Sequence, residues 1–307
     1  MELQTFHNHG PAAASATVVL LRDREGELEV FLLRRHGQSD VLGGAYVFPG
    51  GKLDPEDAQW AQRMDLPAPR LHELLGEPEL QPGEAAALFV AAIREVFEET
   101  GVLFADVAPA RSQELWALLR QGPGFDELLG PLGLTLTASA LLPWSRWVTP
   151  TLSSVVRKRF DTRFFVAAVP PGQEPRHDEH EATESVWLPP RAALRQYWDG
   201  SIELAPPQIM SLAHLARHGS VESVFSAARA RRPPCIRPQP QDVEGVRVLC
   251  YPGDPWHPER EQALPGPTRL AWRNRRFEPD GGLAMLLGDE DPAPPAPQAA
   301  PTRTYSR

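Results

Sequence analysis

Arg94-Glu95-Val96-Phe97-Glu98-Glu99-Thr100-Gly101-Val102 is the stretch that decides the fold. It reads as the C-terminal part of a helix beginning near Glu84. Residues three and four apart share a helix face, so Glu95, Glu98 and Glu99 point the same way. Ala86, Phe89, Val90, Ile93, Val96, Phe97 and Thr100 fall on the other side as a broad apolar stripe. One face therefore packs into a core while the other gathers three carboxylates. Like charges at this spacing repel by roughly a few tenths of a kcal/mol per pair on an exposed helix. They also crowd the C-terminal end, where the helix dipole disfavours acids. Gly101 closes the helix as its C-cap.

An acidic cluster alone reads as a solvated helix end. Here a second element stands upstream: Gly44-Ala45-Tyr46-Val47-Phe48-Pro49-Gly50-Gly51, a short strand running into a double glycine. Glycine pairs of this kind mark turns, or a backbone that can approach a diphosphate without a Cβ in the way. The order of glycine loop, then R-E-hydrophobic-x-E-E-x-G-hydrophobic, resembles the signature of the Nudix hydrolases, G-x5-E-x7-R-E-U-x-E-E-x-G-U, with U an aliphatic residue. Its second half matches from Arg94 to Val102 position by position.

Two departures stand out. Roughly thirty extra residues separate Gly51 from Arg94, and they are read as an insertion over 52–83. Counting back from Arg94, the first Glu of the box falls at Ala86, and Glu84 lies two places away. Further on, Trp147-Val148-Thr149-Pro150 and Arg159-Phe160-Asp161-Thr162-Arg163-Phe164-Phe165 resemble the long-insertion branch of the same family, which includes the mammalian peroxisomal coenzyme A diphosphatase.

The resemblance implies an α/β/α sandwich with a mixed sheet, and a Mg²⁺ or Mn²⁺ site built from Glu95, Glu98 and Glu99. Hard cations take carboxylate oxygens, which fits this donor set. It implies that Arg94 orients a box Glu, and that a further acid in a loop ahead of a strand serves as base. Glu181 is the best positional match, with Glu179 and Glu184 as rivals. Gly50 and Gly51 are read against the diphosphate. Arg34, Arg159 and Arg163 are read either as substrate contacts or as solvated or ion-paired strand residues, since Arg suits bidentate phosphate binding. The expected reaction is hydrolysis of a nucleoside diphosphate derivative, coenzyme A or an acyl-CoA first. NADH, ADP-ribose or a nucleotide sugar are the alternatives, and a ligand sensor without catalysis is the alternative from another class.

Composition narrows the rest. The 307 residues, 42% of them hydrophobic, can bury one sizeable core with additions. A net charge of −9 argues against a general nucleic-acid or anionic-membrane binder. Only two basic residues, Lys52 and Lys158, are Lys; the others are Arg. Cys235 and Cys250 offer neither a disulfide framework nor a metal spacing, and a reduced pair in a cytoplasmic protein is expected. No apolar run reaches membrane-spanning length. Residues 1–14 are expected as a loose leader, 15–232 as the catalytic domain, 233–288 as a packed strand extension, and the Pro/Ala-rich stretch from 289 to 307 as disordered. A helix capped by Ser112, a short strand or connector over 134–136, and helices from Pro190, Gln208 and Val221 complete the expected elements. A homodimer is left open.

Overall fold

The structure is a computed structural model describing residues 6–37, 42–153, 158–179 and 182–289. In chain order the strands and helices are β1 (Phe6–His7), β2 (Ala13–Arg24), β3 (Glu27–Arg35), β4 (Tyr46–Val47), β5 (Gly50–Lys52), α1 (Ala68–Leu75), α2 (Pro82–Thr100), α3 (Pro109–Leu119) and α4 (Phe125–Leu129). Then come β6 (Leu142–Val148), β7 (Leu152–Ser153), β8 (Phe160–Ala168), β9 (Ala182–Leu188), α5 (Pro190–Trp198), α6 (Pro206–Leu215) and α7 (Val221–Ala230). The chain closes with β10 (Cys235–Ile236), β11 (Gln239–Val243), β12 (Val246–Cys250), β13 (Arg269–Arg273), β14 (Arg276–Glu278) and α8 (Gly282–Leu287).

A mixed sheet runs in the order β10-β6-β8-β2-β3-β4, with β5 also on β2 and β9 also on β3. β2 and β3 form the expected hairpin, and β2 lies parallel to β8 from Ala13↔Phe160 to Leu21↔Ala168. Side chains alternate along β2 as a pleated strand requires. Ala16, Val18 and Leu20 join one core with α1, α2, α3 and α4, whereas Val19 and Leu21 join a second core with α5, α6, α7 and α8. Two helical layers thus enclose the sheet, as expected for an α/β/α sandwich. A separate antiparallel sheet, β11-β12-β13-β14, adds Leu249, Leu270 and Phe277 to the second core.

Several local expectations shift. Within the stretch read as a leader, β1 pairs with β7, and β2 already begins at Ala13. Helix α3 starts at Pro109 with Ala108 as its N-cap, not at Ser112. Ser112 is fully buried inside that helix, where its hydroxyl bonds Gly101 O and Gln173 Oε1 instead of capping. Of the two readings for residues 134–136, the connector holds: Leu136 makes isolated bridges to Met64 and Ala105. Helix α2 starts at Pro82, before Glu84, with a proline in its first turn.

Candidate active site

The insertion contributes β5's last residue, a 3-10 helix over Pro55–Gln62, and α1. It also supplies the group that fixes Arg94. Asp57 is 1% exposed, and Arg94 donates to it twice, Nε to Oδ1 at 2.8 Å and a terminal nitrogen to Oδ2 at 3.1 Å. The other terminal nitrogen bonds Glu95 at 2.9 Å and Glu98 at 3.0 Å. Burial alone would lower the Arg94 pKa, but the bonds to Asp57 and the charges of Glu95 and Glu98 raise it well above its usual value. Arg94 thus bridges the insertion and the acidic face, and its charge relieves the repulsion between two of the carboxylates.

The third carboxylate is held by the glycine loop. Gly50 N–H donates to Glu99 Oε2 at 2.9 Å. Gly50 sits at φ 152°, and a Cβ there would overlap the Ala16 carbonyl across the β2–β5 pairing. A Cβ on Gly51 would overlap the Glu95 carboxylate itself. Both glycines are required by close approach, and they set the floor on which Glu95 and Glu99 lie. Behind them, Gly101 turns the chain at φ 75°. The last carbonyls of α2 then find partners in the following loop, since Arg176 N–H bonds Thr100 O and Asp178 N–H bonds Glu99 O.

A cavity of about 350 Å³ opens over this floor. Gly50, Gly51, Glu95 and Glu99 line it together with Arg35, Lys52 and Lys158. Both lysines of the chain therefore face the same space. Sequence reading chose Arg34, but Arg34 is exposed and pairs with Glu184 at 3.6 Å. Neighbouring residues on a strand face opposite ways, and a register shift between Arg34 and Arg35 marks the pairing with β9. Arg35 is the one that reaches the cavity, where its Nε is buried without a hydrogen-bond partner. Glu184, a rival for the base, instead accepts from the Tyr46 hydroxyl at 2.8 Å; burial and this carboxylate push the Tyr46 pKa up to about 12.

Arg159 and Arg163 are not among the residues that line the cavity. Arg163 is 3% exposed and grips Glu77 of the insertion with two nitrogens, at 3.0 and 2.6 Å. Arg159 donates to the carbonyls of Thr149 and Gly10. Arg163 is thus ion-paired, as the alternative to a substrate contact has it, whereas Arg159 bonds backbone carbonyls, which neither reading anticipates. Ala86, on α2 itself, is fully buried in the core. Glu84 caps the first turn, accepting from Gln81 N–H at 2.7 Å. Eleven residues of helix place it roughly 16 Å from Glu95, too far to replace the box Glu. Glu181 lies outside the described residues.

Among the described residues, no three acidic, His or Cys side chains already converge on one point. Arg94 draws Glu95 and Glu98, and Gly50 draws Glu99. The donor set still fits a hard divalent cation: carboxylate oxygens on one helix face, two of them lining a cavity whose floor has no room for a Cβ.

Fold and site together define a Nudix hydrolase. The chain belongs to the NUDT19 Nudix domain family, whose profile matches residues 11–215. It is similar to the acyl-coenzyme A diphosphatase NUDT19 of Xenopus laevis, 26% identical over 301 residues covering 83% of this chain and 78% of that protein. The human protein of the same name is 31% identical, covering 66% of this chain and 64% of its own length. Among solved structures, a NUDIX hydrolase from Alicyclobacillus acidocaldarius superposes with a TM-score of 0.57 at 29% identity, over 71% of this chain and 97% of that one. Nudix enzymes generally depend on a divalent metal. No helix among the described residues is long and apolar enough to cross a membrane.

Proposed function

We propose that this enzyme hydrolyses the diphosphate bond of coenzyme A or an acyl-CoA, giving a 4′-phosphopantetheine and adenosine 3′,5′-bisphosphate. One observation carries the reading: a single cavity gathers Glu95 and Glu99 with Arg35, Lys52 and Lys158 over the Gly50-Gly51 floor. A diphosphate needs cations against both phosphates, and a glycine backbone lets them come close. The choice of coenzyme A is supported by the activity for which the Xenopus and human relatives are named.

Mg²⁺ or Mn²⁺ would be held by Glu95, Glu98 and Glu99. When bound, it supplies neutralisation of phosphate charge and makes water a better nucleophile at neutral pH. Arg94 positions Glu95 and Glu98, and Gly50 positions Glu99. Arg35, Lys52 and Lys158 take the remaining phosphate charge. A carboxylate accepts the proton of the attacking water, and sequence position assigns that role to Glu181.

Product analysis by mass spectrometry tests the reading. The purified protein, with Mg²⁺ or Mn²⁺, is offered coenzyme A, acetyl-CoA, NADH, ADP-ribose and a nucleotide sugar beside Glu98→Gln. Adenosine 3′,5′-bisphosphate from the CoA substrates, lost in the variant, is the expected result. Cleavage of another diphosphate would keep the site and discard the substrate. No cleavage at all would favour a sensor.

A further inference from the structure

A second cavity, of about 180 Å³, opens off the first. The two share the walls made by Thr17, Leu42, Phe160, Thr162 and Gln208. Its own lining is mostly apolar, with Trp147, Phe164, Pro206, Pro207 and Leu249 as the main walls. Trp147 and Phe164 pack with ring centroids 6.2 Å apart, and Trp147 Nε1 is already satisfied by Ser145 Oγ. Strand order explains the placement. β5 pairs with β2, β2 with β8, and β8 with β6, so the glycine floor and Trp147 stand three strand spacings apart, roughly 14 Å.

Thr17, Thr149, Ser153 and Thr162 add hydroxyls at the margins of this cavity, and one amide side chain, that of Gln208, stands on the wall. Gln208 is 7% exposed, and its Oε1 is buried without a hydrogen-bond partner. A buried acceptor left unpaired is costly, so its place on the wall common to both cavities calls for a donor from a bound molecule. The space matches an apolar group: a cavity of about 150 Å³ takes up benzene.

We infer that this second cavity is the seat of an apolar, amide-bearing arm esterified to the diphosphate, with Gln208 accepting an amide N–H of that arm. The inference rests on the substrate reading above and adds a specificity site to it. The diphosphate lies over Gly50-Gly51, and the arm leaves it across the face of β2 and β8 towards Trp147. The pantothenoyl group carries a branched dimethyl carbon, one hydroxylated carbon and then an amide; the dimethyl carbon suits the apolar walls, the amide N–H suits Gln208, and its single hydroxyl suits the threonines of the lining. A ribose or sugar arm in the same place would set most of its hydroxyls against Trp147, Phe164 and Leu249, with more hydroxyls to satisfy than the few polar side chains of the lining can reach, which selects against strongly polar arms.

Two variants test the seat. Val148→Phe adds bulk to the lining of the second cavity at a residue that does not line the carboxylate cavity. Gln208→Leu removes the acceptor at nearly constant volume. Both are first compared with wild type by melting temperature. Steady-state kinetics on coenzyme A and calorimetric Kd values for the two product halves are then measured. The expected result is a KM for coenzyme A raised at least tenfold, a weakened Kd for 4′-phosphopantetheine, and a Kd for adenosine 3′,5′-bisphosphate within twofold of wild type. An unchanged KM in both folded variants, or equal weakening of both product halves, would overturn the seat. A wild-type enzyme that leaves coenzyme A intact would overturn the substrate reading first, and the seat with it.

Discussion

Arg94 Nε lies 2.8 Å from Asp57 Oδ1, and this bond ties the acidic helix to the segment inserted ahead of it. Both groups are withdrawn from solvent, with side chains 8% and 1% exposed. The insertion is thereby part of the site's scaffold: its Asp57 fixes the guanidinium that in turn positions Glu95 and Glu98. Asp57→Ala leaves a buried guanidinium without its main partner. Breaking a buried pair from one side typically costs about 3–5 kcal/mol. Urea denaturation is expected to show a loss in that range. A loss under about 1 kcal/mol would mean that Glu95, Glu98 and the Lys52 carbonyl already satisfy Arg94.

Local patterns gave up the architecture readily. The apolar stripe of α2, the alternation in β2 and the aromatic run of β8 each lie within a few residues, so period alone identifies them. Pairings over long separations were not legible in that way. Nothing near Asp57 marks it as the partner of Arg94, and nothing near Glu77 marks it as the partner of Arg163. The choice between Arg34 and Arg35 turned on which side of one strand faces the cavity, which depends on a register shift that sequence does not display. Composition carries one further signal: in a chain whose cations are almost all Arg, the two Lys residues stand out, and both line the carboxylate cavity.

Arg35→Met and Arg34→Met separate those two readings. Arg35 lines the cavity, so its loss removes a phosphate contact and is expected to raise KM by roughly tenfold or more, the cost of one charge-assisted bond. Arg34 pairs with Glu184 between two half-exposed side chains on β3 and β9, where such pairs are worth about 0–1 kcal/mol, so Arg34→Met should leave KM within about threefold. The reverse ranking in steady-state kinetics would place the substrate on the other side of β3.

Gly51→Ala distinguishes a structural glycine from a catalytic one. Its Cβ would overlap the Glu95 carboxylate, a movable side-chain end, while φ at Gly51 is unremarkable. Turnover should fall sharply while the melting temperature moves little. Gly50→Ala meets backbone, the Ala16 carbonyl, at a left-handed φ, and should cost about 1–3 kcal/mol of stability as well. Equal melting losses in the two variants would show that Glu95 cannot yield.

Glu98→Gln and Glu99→Gln test the acidic face itself. Each keeps its volume and loses its charge. If these carboxylates hold the cation, kcat should fall roughly 10²–10³-fold, the scale of one lost electrostatic contact in a transition state. Circular dichroism should be unchanged. The two need not be equal: Glu99 is 7% exposed and bonded to Gly50, whereas the Glu98 side chain is 34% exposed and bonded to Arg94. Wild-type turnover in both variants would move the cation site elsewhere.

His214 gives the fold an acid-sensitive point away from the cavity of the carboxylates. It is 6% exposed and stacked on Trp144 with ring centroids 4.3 Å apart. Burial, followed by the charges of Arg231, His218 and Arg217, pushes its pKa down to about 2. The unfolded chain, with an ordinary His pKa of about 6.5, binds the proton that the folded protein refuses. Stability is therefore fully present above pH 6.5 and declines as pH falls towards the folded value, by up to about 1.4 kcal/mol per unit. His214→Phe keeps a ring against Trp144 and removes the proton site. Between pH 7.5 and 5.5 the wild type should lose about 1.4 kcal/mol more than the variant in urea denaturation. His218, whose pKa is also lowered by burial and by Arg231, remains in both proteins and cancels from the difference. Equal losses would mean that His214 takes up its proton without unfolding.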